Sequence, residues 1–250
     1  MKASLNLLEK FFSSCDQRNW GYSSSQISAA EEKLSISFPK ILKQYYNRFG
    51  TCPYITQDGN NIPVPLALED FFIPGSLYNA HYTPKELDFL VFSSISNVSA
   101  IDYGIRLSEL SLEDPPIYLC DYGNSSWILE NPSLLNFLVT AAFWQIAYES
   151  KLDYHIDIDP YNYNSQECPD LNYYLNHLGM NGYELENLCK TGYYRIFLKD
   201  DVILACETDE WVVPEEPSED IVWLSIASNN KEKIQAIQKI PNLPWTNNNL

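Results

Sequence analysis

His155, Asp157 and Asp159 alternate with Ile156 and Ile158, so a strand here would carry three metal-ligating side chains on one face. Imidazole and carboxylate together suit a transition metal, but nothing nearby supplies a convincing fourth ligand. These residues read better as an acidic loop with Ile156 and Ile158 turned inward. Asp153 to Asp170 also lacks the central glycine and terminal glutamate of a calcium-binding EF-hand loop. Nucleophilic chemistry finds less support still. There is no Gly-x-Ser-x-Gly elbow, and the 3 histidines (His81, His155 and His177) stand in no recognisable catalytic setting. Cys120 lies in an apolar strand pattern, which suits a buried, inert thiol better than a nucleophile. The 9 glycines form no phosphate-cradling run, and acidic pairs such as Glu113-Asp114 are too common to mark a general acid and base. The residue types point to no enzyme, no metal site and no cofactor.

Charge says more. The net charge of −17 is unevenly spread: residues 1–50 hold 7 basic and 4 acidic side chains, residues 51–150 hold 2 and 12, and residues 151–250 hold 7 and 17. No Lys or Arg occurs from Leu152 to Cys189. Such a surface repels phosphate backbones, which argues against direct nucleic-acid binding. It attracts a basic protein and speeds its approach, although an acidic surface also serves simply to prevent aggregation. The densest stretch places Asp200, Asp201, Asp209, Glu210, Glu215 and Glu216 around Trp211-Val212-Val213, with no cation between Asp200 and Asp220. An aromatic anchor ringed by carboxylates suits a basic partner surface. A solvated loop with Trp211 folded onto the core is the plainer reading of the same residues.

A hydrophobic content of 45% and an aromatic content of 14% in 250 residues give a folded globule, as one large domain or two small ones. The longest apolar run, LLNFLVTAAFW, is too short and too interrupted to span a bilayer, so no membrane partner is expected. Met1-Lys2 leads into a polar amphipathic segment without a secretory hydrophobic region, which implies a cytoplasmic location. The 6 cysteines show no CxxC spacing and read as free thiols in a reducing compartment.

The elements that would position these residues follow from periodicity. A short helix is expected over Ser4–Ser13. A helix pair follows within residues 26–50: Ile27, Ala30, Glu31 and Leu34 share one face, with Ser25 as N-cap. Pro39 then suits the first turn of a second helix carrying Leu42, Tyr45, Tyr46 and Phe49, with Gly50 in the left-handed position that ends it. Strands are expected at Phe89–Ser94, Ala100–Leu107, Ile117–Asp121 and Ser126–Glu130. Asp114-Pro115-Pro116 fixes a turn before the third of these, with Asp114 accepting from turn amides. Asn131-Pro132 opens a helix to about Ser150, apolar nearly all round. Trp127 and Tyr103 read as sheet residues.

Residues 151–170 read as an acidic linker or loop. Beyond it, residues 171–250 form a C-terminal extension or small second domain. It comprises a helix from Leu171, a hairpin turning at Lys199-Asp200-Asp201, a strand at Ile221–Ala227 and a helix at Lys231–Ile240. The extension either stands alone or continues the first sheet.

In residues 1–150 the order of Ile27, Glu31, Leu34, Phe38-Pro39 and Leu42, then Asn97, Tyr103-Gly104-Ile105, Asp114-Pro115-Pro116-Ile117-Tyr118, Trp127 and Leu134-Leu135-Asn136-Phe137-Leu138, resembles the SUKH superfamily of Smi/Knr-like proteins. The chain departs from that pattern at Val98-Ser99, where family members often have Gln-Gly after the Asn, and at Leu135, which replaces a Ser or Thr. The resemblance implies an α+β fold, a mixed and largely antiparallel sheet packed by helices, with the C-terminal α/β extension unmatched. It also implies a non-enzymatic immunity protein that binds and neutralises a cognate basic toxin domain, often a nuclease, without a cofactor. Asp114, Tyr118 and Asp121 are then candidate partner-binding residues, together with Asp200, Asp201, Asp209, Glu210, Trp211, Glu215 and Glu216. The alternatives are a regulatory scaffold of the same superfamily and a metal-dependent hydrolase built around Asp153–Asp159.

Overall fold

A computed structural model describes residues 1–12, 19–56, 63–74, 88–95, 101–121, 126–148, 152–158, 171–186, 188–189, 194–208 and 221–239. The chain divides into two compact units, one comprising Ser4–Ala141 with Leu188–Lys190, the other Met1–Ala3, Ala142–Asn187 and Thr191–Leu250. The class is α+β, and every described strand pairing is antiparallel.

The first unit begins with α1 (Leu5–Phe12), α2 (Ser24–Leu34) and α3 (Lys40–Phe49). Ser23, not Ser25, caps α2. Its Oγ accepts from Gln26 N while the Gln26 side chain accepts from Ser23 N at 2.9 Å, a reciprocal box that needs the glutamine three residues on. The left-handed cap of α2 falls on Ser35 (φ 56°), whose N–H reaches the Glu31 and Glu32 carbonyls. Pro39 stands just before α3, in extended backbone, instead of in its first turn. Gly50 is right-handed (φ −60°), contrary to the left-handed cap expected from the sequence. Glycine is needed there for a different reason: a Cβ would lie 2.5 Å from the Tyr22 ring and 2.8 Å from the Tyr46 carbonyl. α3 buries Ile41, Leu42, Tyr45, Tyr46 and Phe49. Each such side chain contributes about 1.5–3 kcal/mol when removed from water.

Five strands follow: β1 (Val64–Pro65), β2 (Phe89–Ile95), β3 (Ile101–Arg106), β4 (Ile117–Asp121) and β5 (Trp127–Asn131), paired in sequence order. A bulge lies where the register of β4 against β5 shifts between Ile117 and Tyr118. On one face of this sheet Tyr103 and Phe92 pack edge-on or tilted against Phe137 of α4 (Leu134–Tyr148), with ring centres 5.0 and 5.9 Å apart. The other face gathers Phe89, Val91, Cys120 and Trp127, with Trp127 stacked on Phe89 at 4.2 Å. Cys120 is a buried free thiol, as its apolar strand pattern suggests.

The second unit has its own sheet, in the order β6-β9-β8-β7, from β6 (Tyr154–Ile158), β7 (Tyr194–Lys199), β8 (Val202–Thr208) and β9 (Ile221–Ser228). Ile156, Phe197, Leu204, Leu224 and Ile226 form its core with Leu171, Tyr174 and Leu175 of α5 (Leu171–Leu178) and Ile234 of α6 (Lys231–Gln238). Trp144 and Ser225 pack on the other face, where Ser225 Oγ donates to the Ala147 carbonyl at 3.0 Å. The stretch 154–158, expected to be loop, is therefore an edge strand held by β9, some seventy residues further along. Its alternation carried that information, but only a distant partner could make use of it.

Candidate functional site

The residues that carry the family resemblance turn out to hold one another in place. Glu31 Oε1 accepts from Phe38 N at 2.7 Å and from Lys43 Nζ at 3.2 Å, tying α2 to the start of α3. Gly104 lies under Trp127, where a Cβ would meet ring atoms at 3.0 Å. Asp114 does not serve the turn amides of its own loop. Its Oδ2 accepts from Ser133 Oγ at 2.7 Å and its Oδ1 from Leu135 N at 2.8 Å, so it satisfies the N-terminal end of α4. Asn136 Oδ1 accepts from Asn131 Nδ2 at 3.0 Å and from Leu188 N at 3.1 Å. Asn97 lies outside the described residues.

Among the expected partner-binding residues, Tyr118 is half-buried and donates to Glu109 Oε1 at 3.1 Å. Burial, followed by the Glu109 carboxylate, raises its hydroxyl above the ordinary tyrosine value. The Arg106 guanidinium lies over the Tyr118 and Phe89 rings, at 5.1 and 5.3 Å. Asp121 ends β4 opposite Ile101. Asp200, left-handed at φ 56°, and Asp201 form the β7–β8 turn. Both carboxylates face Lys233: Asp200 Oδ2 at 3.8 Å, and Asp201 Oδ1 in direct contact. The structure brings Asp200 and Asp201 together and keeps Asp114 for α4. Asp209, Glu210, Trp211, Glu215 and Glu216 lie outside the described residues.

Cations elsewhere are also engaged internally. In the first unit Lys33 donates to the Glu69 carbonyl, Lys40 pairs with Glu113, Lys43 with Glu31 and Arg48 with Glu9. In the second, Arg195 grips Glu184 through two nitrogens at 2.6 and 2.8 Å, and Lys199 donates to the Gly179 carbonyl. Exposed pairs of this kind add at most about 1 kcal/mol to stability. The sign of the field comes from the excess of 33 acidic over 16 basic side chains, paired or not.

His155 Nε2 and Asp157 Oδ2 lie 4.0 Å apart on β6. Asp159 falls outside the described residues, and among the described residues no group of three His, Cys, Asp or Glu side chains is placed to hold a metal ion. A shallow groove of about 280 Å³ between α2 and α3 is lined by Ile27 and polar side chains including Ser24, Glu31, Lys43 and Asn47. No described helix is long and apolar enough to cross a membrane. What the sequence did not reveal is the exposure of Ile128 and Leu129 on β5, at 50% and 41%. Their apolar character marks a strand, but which strand ends the sheet depends on pairing order.

Compared with known proteins, the chain matches no family model and no curated sequence. The fold is α+β, and the chain is strongly acidic, with a net charge of −17.

Proposed function

We propose that the protein is a non-enzymatic immunity protein of the SUKH kind, which neutralises a cognate bacterial toxin domain in the cytoplasm by equimolar binding. The observation that supports this reading is the sign of the charge: a net −17, with Lys40, Lys43, Arg48, Arg195 and Lys233 each paired to a carboxylate of the same chain. A nuclease must hold phosphate in a basic cleft. A carboxylate-rich face offers that cleft a competing set of charges, attracts it over distance and blocks it once docked. The ordered motif residues of the first unit support the same reading, because they pack as one scaffold of helix pair, antiparallel sheet and α4. No cofactor enters this mechanism.

Co-expression tests it. A bacterium producing the C-terminal domain of a toxin encoded beside this gene is expected to recover growth when this chain is co-produced, without loss of the toxin polypeptide. Killing that persists despite abundant soluble chain would contradict the reading and favour a regulatory scaffold.

A further inference from the structure

Asparagine followed by glycine is a chemically weak point in a polypeptide, because no side chain shields the glycine nitrogen from the asparagine carboxamide. The chain contains one such pair, Asn181-Gly182. It lies in the turn that follows α5. There Gly179 N donates to the Asn176 carbonyl at 3.2 Å, Met180 N to the Leu175 carbonyl at 2.9 Å and Tyr183 N to the Met180 carbonyl at 3.1 Å. Gly182 has φ 79°, the left-handed value that the third residue of a type II turn requires. Asn181 and Gly182 are both exposed.

Both reacting groups are accessible. The Gly182 N–H makes no hydrogen bond among the described residues, and no atom lies within 4 Å of where a Cβ would stand. The Asn181 side chain has one tie, Nδ2 donating to Asn176 Oδ1 at 2.6 Å, between two exposed residues where water competes for the same groups. Asparagines elsewhere are protected. After Asn136 the next N–H donates to the Ser133 carbonyl at 3.0 Å, and after Asn229 it donates to Ser228 Oγ at 3.0 Å. Asn131 precedes Pro132, which has no N–H to react.

We propose that Asn181 is a site of spontaneous deamidation, at which the turn after α5 gains a carboxylate and a longer backbone. The Gly182 nitrogen attacks Asn181 Cγ, a C–N bond forms, and the bond from Cγ to Nδ2 breaks. Ammonia leaves with the proton that the Gly182 nitrogen gives up. Water then opens the resulting succinimide at either carbonyl. Opening on the Cγ side gives aspartate, and opening on the main-chain side gives isoaspartate, whose backbone runs through the β-carbon and is one atom longer. That atom enters a turn fixed on both sides. Lys199 Nζ donates to the Gly179 carbonyl at 2.8 Å and lies 5.2 Å from the centre of the Tyr183 ring. Just beyond the turn, Leu198 N donates to the Tyr183 carbonyl at 3.0 Å and Leu185 N to the Ile196 carbonyl at 2.8 Å, covering β7. The isoaspartate chain is therefore more acidic by one charge and less stable in its second unit. None of this depends on the inhibitor reading.

The test holds the full, folded chain in mildly alkaline buffer and follows it by anion exchange, peptide mass spectrometry and an isoaspartate-specific methylation assay. A more acidic species is expected to grow with time, with its mass gain at Asn181 and both aspartate and isoaspartate present. Asn181→Gln, which keeps the amide but must close a larger ring, should lose that species. The purified isoaspartate form should melt below the fresh chain. Asn181 that stays intact in the folded chain while it converts in the urea-unfolded chain would show that the turn withholds the attack, and overturns the proposal. Faster conversion at another asparagine, or an acidic species that persists in Asn181→Gln, overturns it equally. An isoaspartate form as stable as the fresh chain overturns the claimed loss of fit at β7.

Discussion

Asp114 and Ser133 are joined by a 2.7 Å hydrogen bond that links the loop before β4 to the entrance of α4, and the second Asp114 oxygen takes the Leu135 amide. A proline-rich turn thereby becomes the cap of the helix that packs Phe137 under the sheet. Asp114→Ala should cost about 1–2 kcal/mol, in the range of a lost helix cap. Urea denaturation measures the loss, and Asp114→Asn, which keeps an acceptor, should recover much of it.

Gly104 and Trp127 form a second interlock. A methyl group at Gly104 would press on Trp127 at 3.0 Å and on the Leu90 carbonyl at 3.1 Å. Gly104→Ala should destabilise the first unit by about 1–3 kcal/mol, as overpacking does, and shift the tryptophan fluorescence. Unchanged emission and stability would mean that the ring is free to move aside.

Tyr45 presents the opposite case. Its ring is fully buried between Tyr46 and Phe49, while its hydroxyl has no hydrogen-bond partner among the described residues. Burial also pushes that hydroxyl well above its ordinary value. Tyr45→Phe should therefore be neutral or stabilising by about 1 kcal/mol, measured by urea denaturation.

Glu207 sets a pH dependence. Burial raises its carboxyl above the ordinary value of 4.5, so the fold favours the neutral form. The stability this contributes is fully present below the unfolded-state value and is lost as pH rises through the folded-state value. Glu207→Gln should exceed the wild type in stability at neutral pH, with the gap narrowing as pH falls. Denaturant melts at neutral and at acidic pH read the gap directly.

Much of this architecture was legible from local spacing. The i, i+3, i+4 pattern of α2 and α3, the apolar strands β2 to β5 and the hairpin at Asp200-Asp201 all lie close to where periodicity puts them. What escaped depends on residues distant in sequence. Gly50 is dictated by the approach of Tyr22, and β6 by a partner in β9. Asp114 serves a helix nineteen residues on, and the place of β5 at the end of the described strand order follows from pairing, not from its own residues. Charge was legible as a total, while the internal pairing of the cations emerged only from the fold.

The most direct test of the central claim is calorimetry of the purified chain with the C-terminal domain of the toxin encoded beside its gene, at low and at high salt. The account expects tight equimolar binding that weakens as salt screens the carboxylates. Absence of binding at low salt, where attraction is strongest, would contradict it.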